Sequence, residues 1–487
     1  MNPRVLISFS LLLLVGGCSV GPDYRPPQPT TPASFVEAPA STQPAVSDAT
    51  LASWWEVFGD PGLSALVDRA IRSNLDLRTA AARVIEARSV YLGSRSGLFP
   101  SFDAVGGYRH DRSSDNADGN SGNAMISRDP DRHDWSVGFD ASWEIDLFGG
   151  VRRSIEAADA DFSAAVEDHR DVLVTLLADV ARNYILLRGA QRQLEIVQKN
   201  LETQLQTLEL TRSRFRAGLT SDLDVARAEA QAMTTRAQIP PLEDQIRQSI
   251  RRLGVLCGES PEALADELSP VAEIPRSTLD ISAGVPSEML RRRPDIRRAE
   301  RRLAAETARI GVAVSDLFPK FSITGDFGLV SRDLKNLLER DSIGWSIGPT
   351  LRWQILNFGR VQSGIRAQEA RAEQALRQYE QTVLLSLEET ENALGSYRRE
   401  QARRESLASA VESSRRAVEL ADQLYRQGLT AFQDVLDAQR RLLEVESQFV
   451  TSDQTVSTNL VAVYKALGGG WETKLSQVDR GPLILIP

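Results

Sequence analysis

Two stretches of the chain alternate strictly between apolar and polar residues, 210 positions apart. The apolar positions are Trp135, Val137, Phe139, Ala141, Trp143 and Ile145 in the first, and Trp345, Ile347, Pro349, Leu351, Trp353 and Ile355 in the second. A period of two over about 11 residues, with tryptophans near both ends, is typical of a membrane β-barrel strand. A weaker strand precedes each, at 102–108 and 321–329. A soluble β-hairpin with one face in a core is the alternative for either hairpin alone.

The number of predicted strands sets a condition on the assembly. Four strands cannot close a barrel, which needs about eight, and lipid does not tolerate an open sheet edge. If the strands lie in a membrane, several copies of the chain must therefore contribute to one barrel.

Long stretches without proline follow each strand pair and predict long helices. No proline occurs between Pro130 and Pro240 or between Pro349 and Pro482. A stripe of large apolar residues at intervals of seven is typical of a coiled coil; its members are Leu187, Leu194, Leu201, Leu208 and Phe215. A helix over 152–216 would be about 100 Å long at 1.5 Å per residue. Each helix stops at a glycine, and a second long helix is expected to run back. A soluble coiled-coil scaffold would explain these helices but not the strands.

The chain is a tandem duplication of a unit of roughly 210 residues. Phe99-Pro100 recurs 219 positions later as Phe318-Pro319. Beyond it the offset is 210: Trp143 matches Trp353, and Gly218-Leu219-Thr220 matches Gly428-Leu429-Thr430. Chance would not keep one offset across so many rare residues, so each repeat is one structural unit.

The N-terminus predicts secretion and a lipid anchor. The apolar run Val5 to Val15 is too short to span a hydrocarbon core about 30 Å thick, so it indicates a secretory signal. Val15-Gly16-Gly17-Cys18 resembles a bacterial lipobox, which implies acylation of Cys18 after cleavage before it. An ordinary signal peptide that contains a cysteine is the alternative. Ser19, rather than aspartate, favours the outer membrane. Residues 19–50, rich in Pro, Ala, Ser and Thr, predict an extended tether.

Composition excludes several classes of function. With 57 basic and 66 acidic residues and a net charge of −9, nucleic acid is not expected as a partner. Two cysteines cannot form a disulfide framework, and Cys257 is expected to be a buried apolar residue. Only three histidines leave a periplasmic hydrolase without a candidate catalytic unit. We therefore expect no enzyme, no metal site and no cofactor beyond the lipid on Cys18.

Four segments carry a resemblance to a known family. They are Trp54-Trp55-Glu56-Val57-Phe58-Gly59-Asp60-Pro61 with Leu63, Asn74-Leu75-Asp76-Leu77, Arg292-Arg293-Pro294-Asp295-Ile296 with Ala299-Glu300, and the two Gly-Leu-Thr turns. Through them nearly the whole mature chain resembles the lipoprotein branch of the TolC-like outer membrane factors. The resemblance implies a mostly α-helical homotrimer. It would form a 12-stranded outer-membrane β-barrel continued by a 12-helix periplasmic α-barrel with an equatorial belt. A periplasmic adaptor (membrane fusion) protein and an inner-membrane RND-type pump would dock on it.

The resemblance also implies roles for particular residues. The turns 218–220 and 428–430 would be periplasmic tips that contact the adaptor, with glycine in the left-handed position, leucine as an exposed apolar contact and threonine as a helix cap. They are Gly218, Leu219, Thr220, Gly428, Leu429 and Thr430. Their alternative role is that of simple turns.

The implied periplasmic aperture follows the second tip. Asp434, Asp437 and Arg440 share a helix face, and in a trimer each would form a ring of three. The resemblance implies that the aspartate rings constrict the closed end and favour cations. Gln433 stands where some relatives have an apolar residue, so a second, hydrophobic plug is not expected. Arg440 would brace the closed state, and Tyr425 with Asp224 would form an inter-helix latch. A solvated charged face is the alternative.

The resemblance implies an outer-membrane exit duct of a tripartite efflux pump, gated at its periplasmic tip, that passively conducts drugs, toxic compounds or metal ions. The alternatives are the outer-membrane component of a type I protein secretion system and a non-conducting structural lipoprotein. The expected segments are a signal peptide (1–17), a lipid-anchored extended tether (18–60), repeat 1 (61–257, with β-hairpin 101–147 and α-hairpin 151–257), an equatorial linker (258–286), repeat 2 (287–468, with β-hairpin 320–356 and α-hairpin 358–468) and a tail (469–487).

Overall fold

The computed structural model describes residues 19–28, 32, 34–37, 47–112, 131–277 and 291–472. The helices are α1 (Asp48–Ala52), α2 (Pro61–Ser73), α3 (Leu75–Ser96), α4 (Gly150–Arg216), α5 (Asp222–Arg236), α6 (Ile239–Leu256), α7 (Ala265–Leu268), α8 (Pro294–Ser315), α9 (Arg360–Arg426) and α10 (Phe432–Ala466). The strands are β1 (Ser101–Arg112), β2 (Asp131–Ile145), β3 (Lys320–Ser331) and β4 (Ile343–Arg352). Among the described residues, none of the helices combines the length and the apolarity that crossing a membrane requires. The predicted lipidation site Cys18 and signal 1–17 lie outside the described residues.

The four strands form one antiparallel sheet in the order β1-β2-β3-β4. The two hairpins have the same register: Ser101 pairs with Ser142 in the first, and their counterparts Lys320 and Arg352 pair in the second. The Trp143 indole donates to the Leu98 carbonyl at 3.0 Å, and its counterpart Trp353 donates to Leu317 at the same distance. The duplication in the sequence is therefore a duplication in three dimensions.

Contacts divide the chain into two compact units. The first comprises described residues within 1–27, 85–164 and 300–378 and contains the sheet. The second comprises described residues within 28–84, 165–299 and 379–487. It holds the largest hydrophobic core and both Gly-Leu-Thr turns.

Part of the predicted tether is not a tether. Residues 48–58 form α1 and a short 3₁₀ helix (Trp54–Phe58) whose aromatic residues are buried in the second unit's core. Trp54 stacks on Tyr464 with ring centroids 5.4 Å apart. Asp60 then caps α2, accepting a hydrogen bond from the Leu63 amide at 3.0 Å. The predicted extended tether over 18–60 was therefore wrong for residues 48–58. Burial of Trp54, Trp55 and Phe58 removes a large apolar area from water, and an extended exposed tether would leave that area in contact with water.

The first residues after the predicted anchor are extended, but they are held against the first unit. The Val20 amide donates to the Phe148 carbonyl at 3.1 Å. Arg153, a buried residue of α4, donates to the Val20 carbonyl at 3.1 Å and to the Asp23 carboxylate at 2.7 Å. The backbone of Gly21 lies so close to α8 that a side chain there would meet the Gly311 Cα at 2.5 Å. Residues 19–24 are therefore docked.

The long helices confirm the proline-free prediction, with one correction. Helices α4 and α9 each run unbroken for 67 residues. In repeat 2 the return is the single helix α10, but in repeat 1 it is split into α5 and α6. The break falls at residues 237–238, directly before α6, which carries proline in its first turn. Pro240 and Pro241 lack amide hydrogens and cannot continue the hydrogen-bond ladder of a preceding helix, so one long return helix was wrong for repeat 1.

The Arg-Arg-Pro-Asp segment joins α8 to the end of α10. Arg293 is buried and donates to the Ala466 carbonyl at 2.8 Å, to Asp295 at 2.7 Å and to Glu389 at 2.7 Å. Burial lowers the pKa of this guanidinium, but the bonds and charges of the two carboxylates outweigh it, so its pKa is raised. The guanidinium group of Arg293 can stay charged while buried because it donates to two carboxylates and a backbone carbonyl at once. Arginine is suited to this position because it offers several donors in a fixed plane.

The described residues of the predicted linker and tail make specific contacts. The side chain of Gln191 donates to the Leu268 carbonyl at 2.8 Å, and Arg276 binds the buried carboxylate of Asp453. The guanidinium groups of Arg170 and Arg297 lie 4.8 and 5.4 Å from the centre of the Trp471 ring. The remaining linker residues 278–286 and tail residues 473–487 lie outside the described part.

Candidate functional site

Both Gly-Leu-Thr turns have the same backbone geometry. Gly218 and Gly428 have φ angles of +70° and +76°, which glycine adopts without steric cost. The Leu219 amide donates to the Arg214 carbonyl at 2.9 Å, and the Leu429 amide donates to the Leu424 carbonyl at 2.9 Å, the six-residue bond of a Schellman motif. Leu219 and Leu429 are 67% and 69% exposed. The left-handed glycines and exposed leucines are therefore as predicted.

The threonines do not cap the helices in the expected way. The N-cap of α5 is Ser221 and that of α10 is Ala431. The hydroxyl of Thr220 instead donates to the Asp224 carboxylate at 2.7 Å, and Thr430 donates to Asp434 in the same way. Each threonine therefore holds an aspartate of the first helical turn, so the predicted capping role is corrected to an indirect one.

Each aspartate is the third residue of its helix and completes the capping of the first turn. In α5 the Ser221 hydroxyl oxygen accepts from the Asp224 amide at 3.3 Å. Asp224 Oδ2 also accepts from the Ser221 hydroxyl at 2.9 Å and amide at 3.4 Å, and Asp434 Oδ2 accepts from the Ala431 amide at 3.2 Å. The hydrogen bond from Thr220 is the largest influence on Asp224 and lowers the pKa of its carboxyl, with further bonds from Ser221. Asp434 therefore accepts hydrogen bonds at the start of its own helix, and it is also one of the predicted aperture residues.

The predicted aperture residues lie on one exposed face of α10. Gln433, Asp434, Asp437 and Arg440 are all exposed in the single chain. Arg440 pairs with Asp437 at 3.2 Å and also donates to the amide oxygen of Gln231 in α5 at 3.3 Å. These four side chains could therefore face a pore. The hydrogen bond from Arg440 to Gln231 connects α10 to α5.

The predicted latch residues Tyr425 and Asp224 are not hydrogen-bonded to each other in the chain. The Tyr425 ring is buried against Phe432, with ring centroids 5.3 Å apart, and the guanidinium of Arg214 lies 4.6 Å from its centre. Among the described residues its hydroxyl has no hydrogen-bond partner. The Asp224 carboxylate is occupied by Thr220 and Ser221.

Sequence reasoning missed a buried polar seam near the turns. Gln204 is 3% exposed, and neither atom of its amide has a partner among the residues described. Gln439 is also buried, and its amide donates to the Thr207 hydroxyl at 3.1 Å. Polar residues interrupting the apolar stripe were the available signal. In the described ranges, histidine, cysteine and acidic side chains form no group of three or more that could hold a metal.

The fold and the site together are typical of a long-helix outer-membrane channel protein. The chain belongs to the outer membrane efflux protein family, whose model matches residues 66–259 and 285–469. It is 32% identical to the solvent efflux pump outer membrane protein SrpC of Pseudomonas putida, over 97% of this chain and 99% of that one. It is 31% identical to nodulation protein T of Rhizobium leguminosarum bv. trifolii, over 95% and 96%. The solved outer-membrane channel OprN is 36% identical, covers 93% of this chain with 100% of its own, and superposes with a TM-score of 0.86.

These comparisons confirm the family recognised from the sequence and its function in efflux at the outer membrane. They also confirm the fold at the coarse level, a mostly helical chain of the kind found in such channels.

Proposed function

We propose that three copies of the chain form a passive duct through the outer membrane and the periplasm, anchored by lipid on Cys18. The copies share a 12-stranded barrel and a 12-helix tunnel. A periplasmic adaptor packs on the tips at 218–220 and 428–430, and an inner-membrane RND-type pump drives export. The duct carries out no catalysis and needs no cofactor. Type I secretion is not favoured by any observation on the chain.

The observation that carries this proposal is the exposure of both faces of the sheet. The apolar face exposes Phe139, Trp345 and Ile347, the last two at 71%. The polar face, with residues such as Asp103 and Asp140, is exposed as well. A soluble hairpin would bury one face in a core, whereas a barrel wall meets lipid on one side and water on the other. This favours the membrane interpretation over the soluble alternative.

The exported compounds are proposed to be small. The relative SrpC is named as a solvent efflux pump protein. Another relative, CusC of Escherichia coli, is named as a cation efflux system protein. A duct lined by exposed polar strand faces and an acidic row conducts by size and charge, so the pump selects the compound.

Single-channel recording tests the duct and its aperture together. We expect Asp437→Ala to raise the conductance of the full-length protein in planar bilayers and to lower its preference for cations, because a ring of three carboxylates is lost. Asp222→Ala, an exposed acid at the other turn, is the matched control and should leave both unchanged. Unchanged conductance in Asp437→Ala would contradict the aperture assignment. Absence of any channel in the unaltered protein would contradict the duct.

A further inference from the structure

Two of the three histidines of the chain lie side by side on the first hairpin. His110 in β1 is directly opposed to His133 in β2. Directly opposed side chains lie on the same face of a sheet, with Cβ atoms about 4.5–5.5 Å apart. The two imidazole rings are stacked, with centroids 4.2 Å apart and an angle of 19° between their planes. The third histidine, His169, is buried in α4.

The histidine pair lies on the apolar face of the sheet, just beyond an aromatic pair. Trp135 and His133 are two positions apart in β2 and therefore share a face. Their partners in β1 are Tyr108 and His110. Strand β1 begins after α3 and β2 ends before α4, so the histidines lie at the end of the hairpin away from these helices. Both histidines are exposed, so dissolved ions can reach the rings.

Each imidazole ring has an oxygen atom near one of its nitrogens. The Tyr108 hydroxyl lies 2.8 Å from Nδ1 of His133, and the Asp131 carboxylate lies 3.8 Å from Nε2 of His110. A histidine that binds a metal commonly donates one ring N–H to such an oxygen, which fixes the tautomer and makes the other nitrogen the ligand. Nε2 of His133 and Nδ1 of His110 are therefore the nitrogens that this arrangement leaves for an ion.

We propose that His110 and His133 bind one divalent ion of a late first-row transition metal, of the class of Cu²⁺, Ni²⁺ and Zn²⁺. Imidazole suits these ions, whereas Mg²⁺ and Ca²⁺ prefer oxygen ligands. Two nitrogens that bind one ion at about 2.0–2.1 Å lie about 3 Å apart, so the stacked rings need only tilt toward each other.

The ion has two protein ligands and joins β1 to β2. Among the residues described, histidine, cysteine and acidic side chains form no group of three that could hold a metal, so water completes the coordination. This inference does not rest on the proposed duct, because both ligands belong to one hairpin of one chain.

Titration with Cu²⁺ tests the pair in the full-length protein, purified without a histidine tag. Electron paramagnetic resonance should show one bound Cu²⁺ per chain with two imidazole nitrogens. An excess of Zn²⁺ or Ni²⁺ should displace it, and Mg²⁺ and Ca²⁺ should not. His110→Ala and His133→Ala should each lose the two-imidazole signal with an unchanged circular dichroism spectrum, because both side chains are exposed. A single-imidazole signal in the unaltered protein, or a two-imidazole signal that persists in either variant, would overturn the site.

A matched control keeps the number of histidines constant. His133→Ala combined with Arg132→His moves one imidazole to the opposite face, because neighbouring residues of a strand point to opposite sides. This double variant should bind Cu²⁺ no better than His133→Ala alone. Recovery of the two-imidazole signal would show that the opposed pair is not required and would overturn the proposal.

The oxygen partners have their own readout. Tyr108→Phe and Asp131→Asn should each weaken Cu²⁺ binding by about 10-fold, the lower end of what such partners contribute, and should leave the two-imidazole signal in place. Asp134→Asn, on the opposite face, is the control for Asp131→Asn and should leave the affinity unchanged. Unchanged affinity in both Tyr108→Phe and Asp131→Asn would overturn the assignment of the ligand nitrogens.

Discussion

Removal of the Asp224 carboxylate should loosen the start of α5 far more than removal of its neighbour Asp222. Asp224 accepts three hydrogen bonds, from the Thr220 hydroxyl, the Ser221 hydroxyl and the Ser221 amide. Loss of an N-terminal cap costs about 0.5–2 kcal/mol, and bonds to a charged acceptor are at the upper end. The side chain is 21% exposed, so water replaces part of the loss. We therefore expect about 1–2 kcal/mol of local stability to be lost in Asp224→Ala.

Hydrogen exchange of the first two turns of α5 measures this loss. A change of about 1–2 kcal/mol raises the exchange of locally opening amides by about 5- to 30-fold. Asp222 lies in the same first turn and benefits from the helix dipole, but its carboxylate has no hydrogen bond or ion pair within the described ranges. Asp222→Ala should therefore cost about 0.5 kcal/mol, or roughly twofold. Asp434→Ala should have an effect of the same kind in α10, because its carboxylate accepts from the Thr430 hydroxyl and the Ala431 amide.

The pH dependence has a definite sign. The pKa of Asp224 is lowered in the folded chain, so its contribution is fully present above the ordinary value near 3.8 and disappears as the pH falls through the lowered value. The difference between unaltered protein and Asp224→Ala should persist at pH 5–7 and decline as the pH falls below the ordinary value of 3.8. Equal exchange in Asp224→Ala and Asp222→Ala at neutral pH would refute the capping argument.

Three further outcomes follow from buried groups. Trp54→Ala should destabilise the second unit by about 3–5 kcal/mol in chemical denaturation, because it removes a fully buried ring stacked on Tyr464; a loss below about 1 kcal/mol would contradict its core position. Burial raises the pKa of Cys257 to about 11, so maleimide at pH 8 should label this thiol only after unfolding, and rapid labelling of folded protein would disprove its burial. Arg153→Ala should release residues 19–24 to added protease while the trimer remains intact; unchanged protection would show that other contacts hold the segment.

Elements that depend on local periodicity could be predicted from the sequence. Trp143 and Trp353 alternate with polar neighbours, so the strands and their two faces were predictable without knowledge of neighbours. Gly218 and Gly428 end the long helices because no other residue adopts that backbone conformation as easily. The duplication was visible in two constant offsets. The Pro240-Pro241 break was also encoded, although the expectation of one long return helix passed over it.

Features that depend on which segments meet were decided only by the tertiary structure. Trp54 lies in a segment that looked like a continuation of a proline-rich tether, and its burial requires Tyr464, some 400 positions away. The resemblance implied an aperture role for Asp434, yet its carboxylate also accepts hydrogen bonds from Thr430 and Ala431 at the start of α10. The contact of Arg153 with residues 20–23 gave no local signal, because its partners there, the Val20 carbonyl and the Asp23 carboxylate, lie about 130 positions away. Periodicity indicates the secondary structure of a residue and the face on which its side chain lies. Burial and hydrogen bonding depend on partners far away in the chain, and a single sequence does not indicate which distant residues meet.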